Sequence, residues 1–287
     1  MLDPAFIREL EVLRRRLDTR ARSGMRGEKV SARRGASVEF LEHRAYAPMD
    51  DLRRIDWAAY ARTGEPVLKL FRAEEDVVIR IVCDSSASMD CGASPKLPVA
   101  QRLAAAIGYL ALSRSERAQL CLARDGLLPL APPSRGRAGL AAFLRSIEAV
   151  EAAGKTDLAR ALTEIVKRSP RPGLLVVLSD FFDGGPVLSA VTRAIMVGHE
   201  VALLQVVSPE DIDPALDGDL SLQDAETGAI VDVTVDSAAL AAYALRFAGL
   251  CEELRMFARK HHVTYVRART DEALEPVVRR FVAKTID

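Results

Sequence analysis

The stretch VVIRIVCDSSAS, residues 77–88, decides the fold class of this chain. Its first seven residues are apolar except for Arg80, which is typical of a strand buried on both faces of a parallel sheet. The five residues that follow are small or polar, so the strand should end near residue 83. Ligands of open α/β sheets bind at the carboxyl ends of strands. The stretch therefore predicts a buried strand with a polar site at its end.

Apolar runs and amphipathic patterns alternate through the rest of the chain. Strands are predicted at 119–123, 127–130, 174–178, 201–207 and 263–267, and helices at 97–112, 137–149, 157–168, 186–197, 237–261 and 271–284. This alternation predicts an α/β fold with a doubly wound, mainly parallel sheet over residues 74–287. The segment 209–235 interrupts it, and the turn at 225–228 predicts a small acidic hairpin insertion there.

Residues 1–73 are predicted to form a separate, irregular N-terminal region. Its elements are predicted as an amphipathic helix at 3–18, a basic loop at 20–36, strands at 38–40 and 67–71, and a short helix ending at Ala61. Phe6, Leu10 and Leu13 lie at helical spacing, so they should form the apolar stripe of the first helix. The loop is expected because glycines and charges replace large apolar side chains there.

Two interpretations of the mixed-charge run at 50–56 remain open. In the first, ion pairs hold an irregular backbone in place and Trp57 packs beneath them. In the second, the run is a docking surface for a partner protein. The first is favoured, because irregular backbone needs side-chain hydrogen bonds to be held.

The overall charge argues against a nucleic-acid-binding protein. The 287 residues contain 40 Lys and Arg and 40 Asp and Glu, whereas proteins that bind the phosphate backbone carry a basic excess. The charges are nevertheless distributed unevenly along the chain. Nine basic residues lie in 14–34, and ten acidic residues with no Lys or Arg lie in 194–245. Two such segments could form separate surfaces of opposite charge.

The cysteines and the hydropathy pattern restrict the cellular setting. The four cysteines form no CxxC pair, so they give no zinc or redox motif, and Cys83 and Cys121 are expected to be buried thiols. No uncharged apolar run reaches the roughly 18 residues of a membrane helix. Charge begins at Asp3, which is unlike a secretory signal. We therefore expect a soluble, cytoplasmic protein.

Oxygen-bearing side chains follow three of the predicted elements and suggest a metal site. Asp84, Ser86 and Ser88 follow the first buried strand, Thr156 precedes a helix, and Asp180 follows the strand at 174–178. The strands ending at 83 and 178 should be neighbours in the usual strand order, which brings Asp84 and Asp180 together. Carboxylate and hydroxyl oxygens suit Mg²⁺ or Mn²⁺ better than zinc.

These five positions resemble the metal-ion-dependent adhesion site of von Willebrand factor A-type domains. That family has the pattern DxSxS, a threonine in a middle loop and an aspartate after the fourth strand. The resemblance implies that the serines and often the threonine contact the ion, and that the aspartates act mostly through water. It also implies an open coordination position that accepts an Asp or Glu carboxylate from a protein partner.

A second resemblance extends over about residues 30–285. The segments SVEF at 37–40, RAYAPMDDLRRIDW at 44–57 and Ala61-Arg62 are similar to the signature of a bacterial family catalogued as domain of unknown function fifty-eight. Met49 stands where that family usually has glycine. Members carry a von Willebrand A-like domain and are commonly encoded beside MoxR-type AAA+ ATPases. The resemblance implies an adaptor or partner of such an ATPase in chaperone-like assembly.

Enzymatic readings find less support. Gly154-Lys155-Thr156 lacks the upstream glycine of a phosphate-binding loop, because position 149 is alanine. Neither a GxGxxG nor a GxSxG motif is present. A metal-dependent hydrolase, most plausibly a phosphatase, remains an alternative, although no general base is evident beyond the ligands themselves. A scaffold with a vestigial metal loop is the other alternative.

Overall fold

The computed structural model of the chain describes residues 4–23, 40–47, 50, 52, 55–71, 77–169 and 171–286. It contains two compact units, one made of residues 1–27 and 77–287 and the other of residues 28–76. Helix α1 (Pro4–Ser23) places Phe6, Leu10 and Leu13 in the core of the larger unit. The predicted domain division at residue 73 stays a prediction; α1 itself packs with the larger unit.

The described residues of the smaller unit form a two-stranded antiparallel sheet and a short helix. Strands β1 (Phe40–Ala45) and β2 (Val67–Phe71) pair, and helix α2 (Trp57–Thr63) lies between them in sequence. The carboxylate of Asp56 caps α2 by accepting two backbone N–H bonds of 3.1 Å. This cap sets a helix register that buries Ala59 and leaves Trp57 61% exposed. The predicted packing of Trp57 beneath the charged run is therefore wrong.

The larger unit consists of a six-stranded sheet, helices on both of its faces and a separate hairpin. Its elements in chain order are β3 (Val78–Asp84), α3 (Leu97–Ser113), β4 (Arg117–Ala123), β5 (Ser134–Arg135), α4 (Gly136–Glu148), α5 (Leu158–Arg168), β6 (Leu174–Ser179), α6 (Gly184–Met196), β7 (Glu200–Val207), α7 (Pro209–Ile212), β8 (Gly218–Gln223), β9 (Ile230–Val235), α8 (Ser237–Lys260), β10 (Thr264–Arg269) and α9 (Leu274–Ile286). Strands β8 and β9 form the predicted hairpin, which is paired from Gly218–Val235 to Gln223–Ile230.

The sheet has the strand order β10-β7-β6-β3-β4-β5, and every pair except β4–β5 is parallel. The predicted doubly wound fold is confirmed. Chain connections leave β3 toward β4 on one side and arrive at β6 on the other, so the strand order reverses between β3 and β6. Cys83 pairs with Leu178 at this point. The carboxyl ends of the two strands thus form the crevice where such folds bind ligands.

Alternate residues of the central strands face two different cores. Ile81 and Cys83 belong to the core covered by α1, α3, α4 and α9, whereas Val82 belongs to the core covered by α5, α6 and α8. Cys83 and Cys121 are buried free thiols, as expected, and burial raises the pKa of each to about 12. None of the helices in the described part of the chain has the length and apolarity that crossing a membrane requires.

Two further predictions differ from the structure, besides the strand predicted at 38–40, which is found at Phe40–Ala45 with residues 38 and 39 outside the described part of the chain. The strand predicted at 127–130 is reduced to a single bridge between Leu127 and Ala123, and the edge strand is β5 instead. Prolines at 129, 132 and 133 lack the N–H that a ladder needs. Residues 20–23, predicted as loop, continue helix α1, since Arg and Ala favour helix and the first glycine is residue 24. The rest of the predicted loop lies outside the described residues.

A buried ion pair ties the start of α3 to the end of β6. Lys96 Nζ lies 2.5 Å from Asp180 Oδ2 and 3.7 Å from Asp211 Oδ2, and the side chains of Lys96 and Asp180 are 4% and 8% exposed. Burial opposes the charge of Lys96, but Asp180 and Asp211 together raise its pKa. Burial raises the pKa of Asp180 to about 6, against the lowering effect of Lys96. The close contact with the opposite charge favours the charged form of both partners.

We expect Gly108→Ala to destabilise the larger unit by about 1–3 kcal/mol, as overpacking does. A Cβ at Gly108 in α3 would lie 2.0 Å from the ring of Phe143, which is buried. Gly249 in α8 provides the matched control, because no atom lies within 4 Å of a Cβ built there. Gly249→Ala should stabilise by about 1 kcal/mol. Urea unfolding of both variants measures the difference, and equal midpoints would contradict this packing.

We expect Lys96→Met to lower the free energy of unfolding by about 3–5 kcal/mol near pH 8, because it leaves the carboxylate of Asp180 buried without its counter-charge. The folded-state pKa of Asp180 is already above its unfolded value, so stability rises as pH falls through that pKa. Loss of Lys96, which lowers the pKa of Asp180, raises that pKa further in the variant, so its Asp180 takes up a proton as pH falls and the deficit should shrink at pH 5. Arg168→Met removes an exposed pair with Glu164 and should cost about 1 kcal/mol or less at both pH values. Equal deficits for the two variants would refute the role of the buried pair.

Candidate metal centre

Backbone hydrogen bonds join the loop after β3 to the loop before α5. Ala153 N donates to Ser85 O over 3.0 Å, and Ala87 N donates to Gly154 O over 3.1 Å. Gly154 has a φ of +66°, and a Cβ there would lie 2.3 Å from the carboxylate of Asp125. Only glycine fits this turn without strain. The two loops that carry the predicted serines and threonine are thus held side by side.

Asp84 is the centre of the hydrogen-bond network at this crevice. Its Oδ1 accepts from Ser86 N at 3.1 Å and Ser86 Oγ at 2.8 Å, and its Oδ2 accepts from Thr156 Oγ1 at 3.2 Å and Ser179 Oγ at 2.8 Å. The residue is 2% exposed. Four donors from two loops and the end of β6 therefore satisfy one buried carboxylate.

The hydroxyl groups of Ser86 and Ser88 link the carboxylates of Asp84 and Glu226 in one chain of contacts. Ser86 Oγ lies 2.8 Å from Asp84 Oδ1, the two serine Oγ atoms lie 3.0 Å apart, and Ser88 Oγ lies 2.9 Å from Glu226 Oε1. Two hydroxyl protons serve these three contacts, so one contact brings two lone pairs together without a hydrogen between them. A cation bound among these oxygens would relieve that repulsion.

Glu226, from the tip of the hairpin, contributes a second carboxylate to the network. Its Oε2 accepts from Thr156 N over 3.1 Å, while its Oε1 holds Ser88. The negative charge at this rim affects Asp183, whose pKa is raised by burial first and then by the carboxylates of Glu226, Asp84 and Asp157. Carboxylates crowded in this way favour a divalent cation between them.

Four of the five predicted site residues share this network, and the fifth lies beside it. Asp84, Ser86, Ser88 and Thr156 are connected by direct hydrogen bonds. Asp180 instead directs its carboxylate to Lys96 and to the backbone N–H of Phe182. The neighbouring charge of Asp84 contributes to the raised pKa of Asp180, so the two carboxylates are close enough to repel.

The residues that meet here are a donor set for a small hard cation. They offer serine and threonine hydroxyls with two carboxylates, which are the ligands that Mg²⁺ and Mn²⁺ prefer. Within the described ranges, no three His, Cys, Asp or Glu side chains converge as a metal cluster. A cation at this point would therefore depend on the hydroxyls, and the fit is to an adhesion-type site and not to an all-carboxylate one.

Three contributing residues were not predicted. Ser179 was adjacent to a predicted ligand, and strand alternation is the signal that could have identified it, since it ends β6 with its side chain toward Asp84. Glu226 lies in a turn that the sequence does predict, but its contact spans 138 residues from Ser88. Lys96 has no local signal at all, because its partner Asp180 is 84 residues away.

A solved structure with a similar fold is that of the conserved hypothetical protein BatB from Bacteroides thetaiotaomicron. The two share 16% sequence identity with a TM-score of 0.51, over 74% of this chain and 100% of the other. At this identity the similarity concerns the fold alone. The larger unit accordingly has the von Willebrand A-like architecture that the sequence predicts.

Two mycobacterial proteins are similar along nearly the whole chain. Mb1516 of Mycobacterium bovis and Rv1480 of Mycobacterium tuberculosis are each 30% identical over 287 residues, which is 98% of this chain and 90% of theirs. A family model described as "Protein of unknown function DUF58" matches residues 42–249, so the chain belongs to the DUF58 family.

Proposed function

We propose that this chain is a protein-interaction module that binds Mg²⁺ or Mn²⁺ at the crevice between β3 and β6. One observation carries the proposal: three oxygen–oxygen contacts link Asp84, Ser86, Ser88 and Glu226, and the two serine hydroxyls supply only two protons for them. The cation, when bound, supplies a positive centre that an incoming carboxylate of a partner can reach. The von Willebrand A-like fold supports an interaction role over a catalytic one.

The proposed site consists of Asp84, Ser86, Ser88, Thr156 and Asp180, with different tasks. The hydroxyls of Ser86, Ser88 and Thr156 hold the cation, and Asp84 orients two of them by accepting their protons. Asp180 adds negative charge nearby while it fixes Lys96. Each group is held by hydrogen bonds to neighbouring loops, so the site is organised before a partner arrives.

We extend the proposal to the partner, which we take to be a MoxR-type AAA+ ATPase in the cytoplasm. Support for this step comes from the resemblance of the segments at 37–40 and 44–57 to a family commonly encoded beside such ATPases. The carboxylates of Glu226, Asp84 and Asp157 all raise the pKa of Asp183, so negative charge gathers at the site. A carboxylate of the ATPase would therefore be repelled unless the cation were bound, which would make the interaction cation-dependent.

We expect titration calorimetry of the full chain to detect one Mg²⁺ or Mn²⁺ site, which Ser86→Ala weakens about tenfold or more. Ser85→Ala is the matched control, because the neighbouring Ser85 is equally buried and its hydroxyl contacts Ala123 O outside the network. It should leave the affinity unchanged. The absence of a binding heat in the unaltered chain, or equal affinities for the two variants, would refute the metal site.

We expect the unaltered chain and Ser85→Ala to retain a MoxR-type ATPase from lysate of a native bacterial host in the presence of Mg²⁺, and Ser86→Ala to retain much less. The two serine variants carry the comparison, because chelation would also strip Mg²⁺ from the nucleotide of an ATPase. Mass spectrometry of the retained proteins identifies the partner. Equal retention by both variants would favour a scaffold whose metal loop is vestigial.

A further inference from the structure

The outer part of the hairpin formed by β8 and β9 is exposed except where its tip meets the site, whereas Val235 at its base is buried. Between residues 221 and 230, Glu226 alone is half-buried while its neighbours are exposed. Cross-strand bonds such as Ser221–Asp232 and Thr234–Asp219 occupy the polar side chains of the strands. At the tip, it is therefore the side chain of Glu226 that contacts the rest of the larger unit.

The turn at the tip is built to hold Glu226 in this position. Asp224 Oδ1 accepts from Glu226 N at 2.7 Å and Thr227 N at 3.0 Å, and Gly228 closes the turn with a φ of +70°. Hydrogen bonds from the backbone of Thr227 and Glu226 lower the pKa of Asp224, with a smaller contribution from Lys155. The backbone conformation of the tip is thus fixed by hydrogen bonds within the turn and does not depend on contact with the site.

The carboxylate of Glu226 spans the two loops of the candidate centre. Oε1 accepts from the Ser88 hydroxyl and Oε2 from the Thr156 amide, so its oxygens lie between a proposed ligand and the loop of another. A second carboxylate beside Asp84 raises the electrostatic cost of the site unless a cation offsets it. Glu226 thus presents a carboxylate at the position where a partner's carboxylate would have to bind.

We propose that Glu226 is a built-in carboxylate ligand of the cation, and that a partner's carboxylate must displace it and the hairpin tip to bind. The inference rests on the proposed metal-dependent function. It adds that the resting module is self-ligated, so that the hairpin competes with the partner for one coordination position.

The attachments of the hairpin permit this displacement. Its base is fixed, because Tyr243 donates to Asp211 O over 2.7 Å and Ser208 and Asp211 form a capping box around α7. Beyond the base, β8 and β9 remain largely exposed, and Ile230 and Val231 are 65% and 57% exposed. Movement of the tip away from the site therefore breaks the hydrogen bonds of Glu226 but exposes little apolar surface that was buried.

Hydrogen exchange without metal tests whether Glu226 docks in the site. The full chain is compared with Glu226→Ala and with Asp232→Ala, a matched loss of a hairpin carboxylate that contacts only Ser221 among the hydrogen bonds described for it. The Thr156 amide should exchange several-fold faster in Glu226→Ala and at the unaltered rate in Asp232→Ala. Unchanged exchange at Thr156 in Glu226→Ala would overturn the inference whether or not the chain binds metal.

Water-proton relaxation with Mn²⁺ tests whether Glu226 occupies a coordination position. Glu226→Ala should bind Mn²⁺ with more inner-sphere water than the unaltered chain, and millimolar acetate should reduce that excess. Glu226→Gln, which keeps the side-chain length, should change in the same direction, and Asp232→Ala should behave as the unaltered chain does. Acetate should have little effect on the unaltered chain.

The outcomes separate this inference from the proposed function. If every chain binds Mn²⁺ with the same relaxivity and the same insensitivity to acetate, Glu226 is not a ligand, while the metal-dependent function stands. If no chain binds Mn²⁺, the proposed function fails and the inference fails with it.

Discussion

The buried carboxylate of Asp84 is the constraint on which this end of the sheet depends. A charged group that is 2% exposed is costly unless its oxygens accept hydrogen bonds. Its donors come from its own loop, from Thr156 and from Ser179 at the end of β6. Satisfying one side chain therefore fixes two loops and the end of β6 relative to one another. The donated protons also leave hydroxyl lone pairs near one point, so the candidate cation site follows from the way Asp84 is satisfied.

The predictable part of the site is the part that follows from strand ends. Asp84, Ser86 and Ser88 are neighbours in sequence, and parallel packing of β3 beside β6 brings the loops of both strands to one edge. The unpredicted part depends on register. Successive residues at a strand end point to opposite faces, so Ser179 and Asp180 cannot both face Asp84. The prediction from the sequence chose the charged residue, Asp180. In the structure Ser179 donates to Asp84 instead, and Asp180 faces Lys96.

The predicted elements are correct where the apolar periodicity is strong. They are wrong where prolines or a helix cap determine the local backbone conformation. The central strands and the long helices lie within a few residues of their predicted bounds. The strand at 127–130 fails because nearby prolines remove donors, although its leucines suit a strand. The predicted burial of Trp57 is wrong for a different reason. The Asp56 cap sets the helix register, and burial of Ala59 then leaves the indole facing outward. In both cases a local constraint overrides hydrophobic pattern.

The acidic segment 194–245 also has a more specific meaning than a patch of one sign. Its insertion is attached to the site at two charged points: Asp211 at the base lies 3.7 Å from Lys96, and Glu226 at the tip contacts Ser88 and Thr156. The base attachment joins opposite charges and is reinforced by a capping box and by the hydrogen bond from Tyr243 to Asp211 O, whereas Glu226 attaches the tip through two hydrogen bonds. The strands next to the tip also bury little apolar surface, so moving the tip exposes little. The tip is therefore the weaker of the two attachments, and it is the one that lies where an external carboxylate would compete.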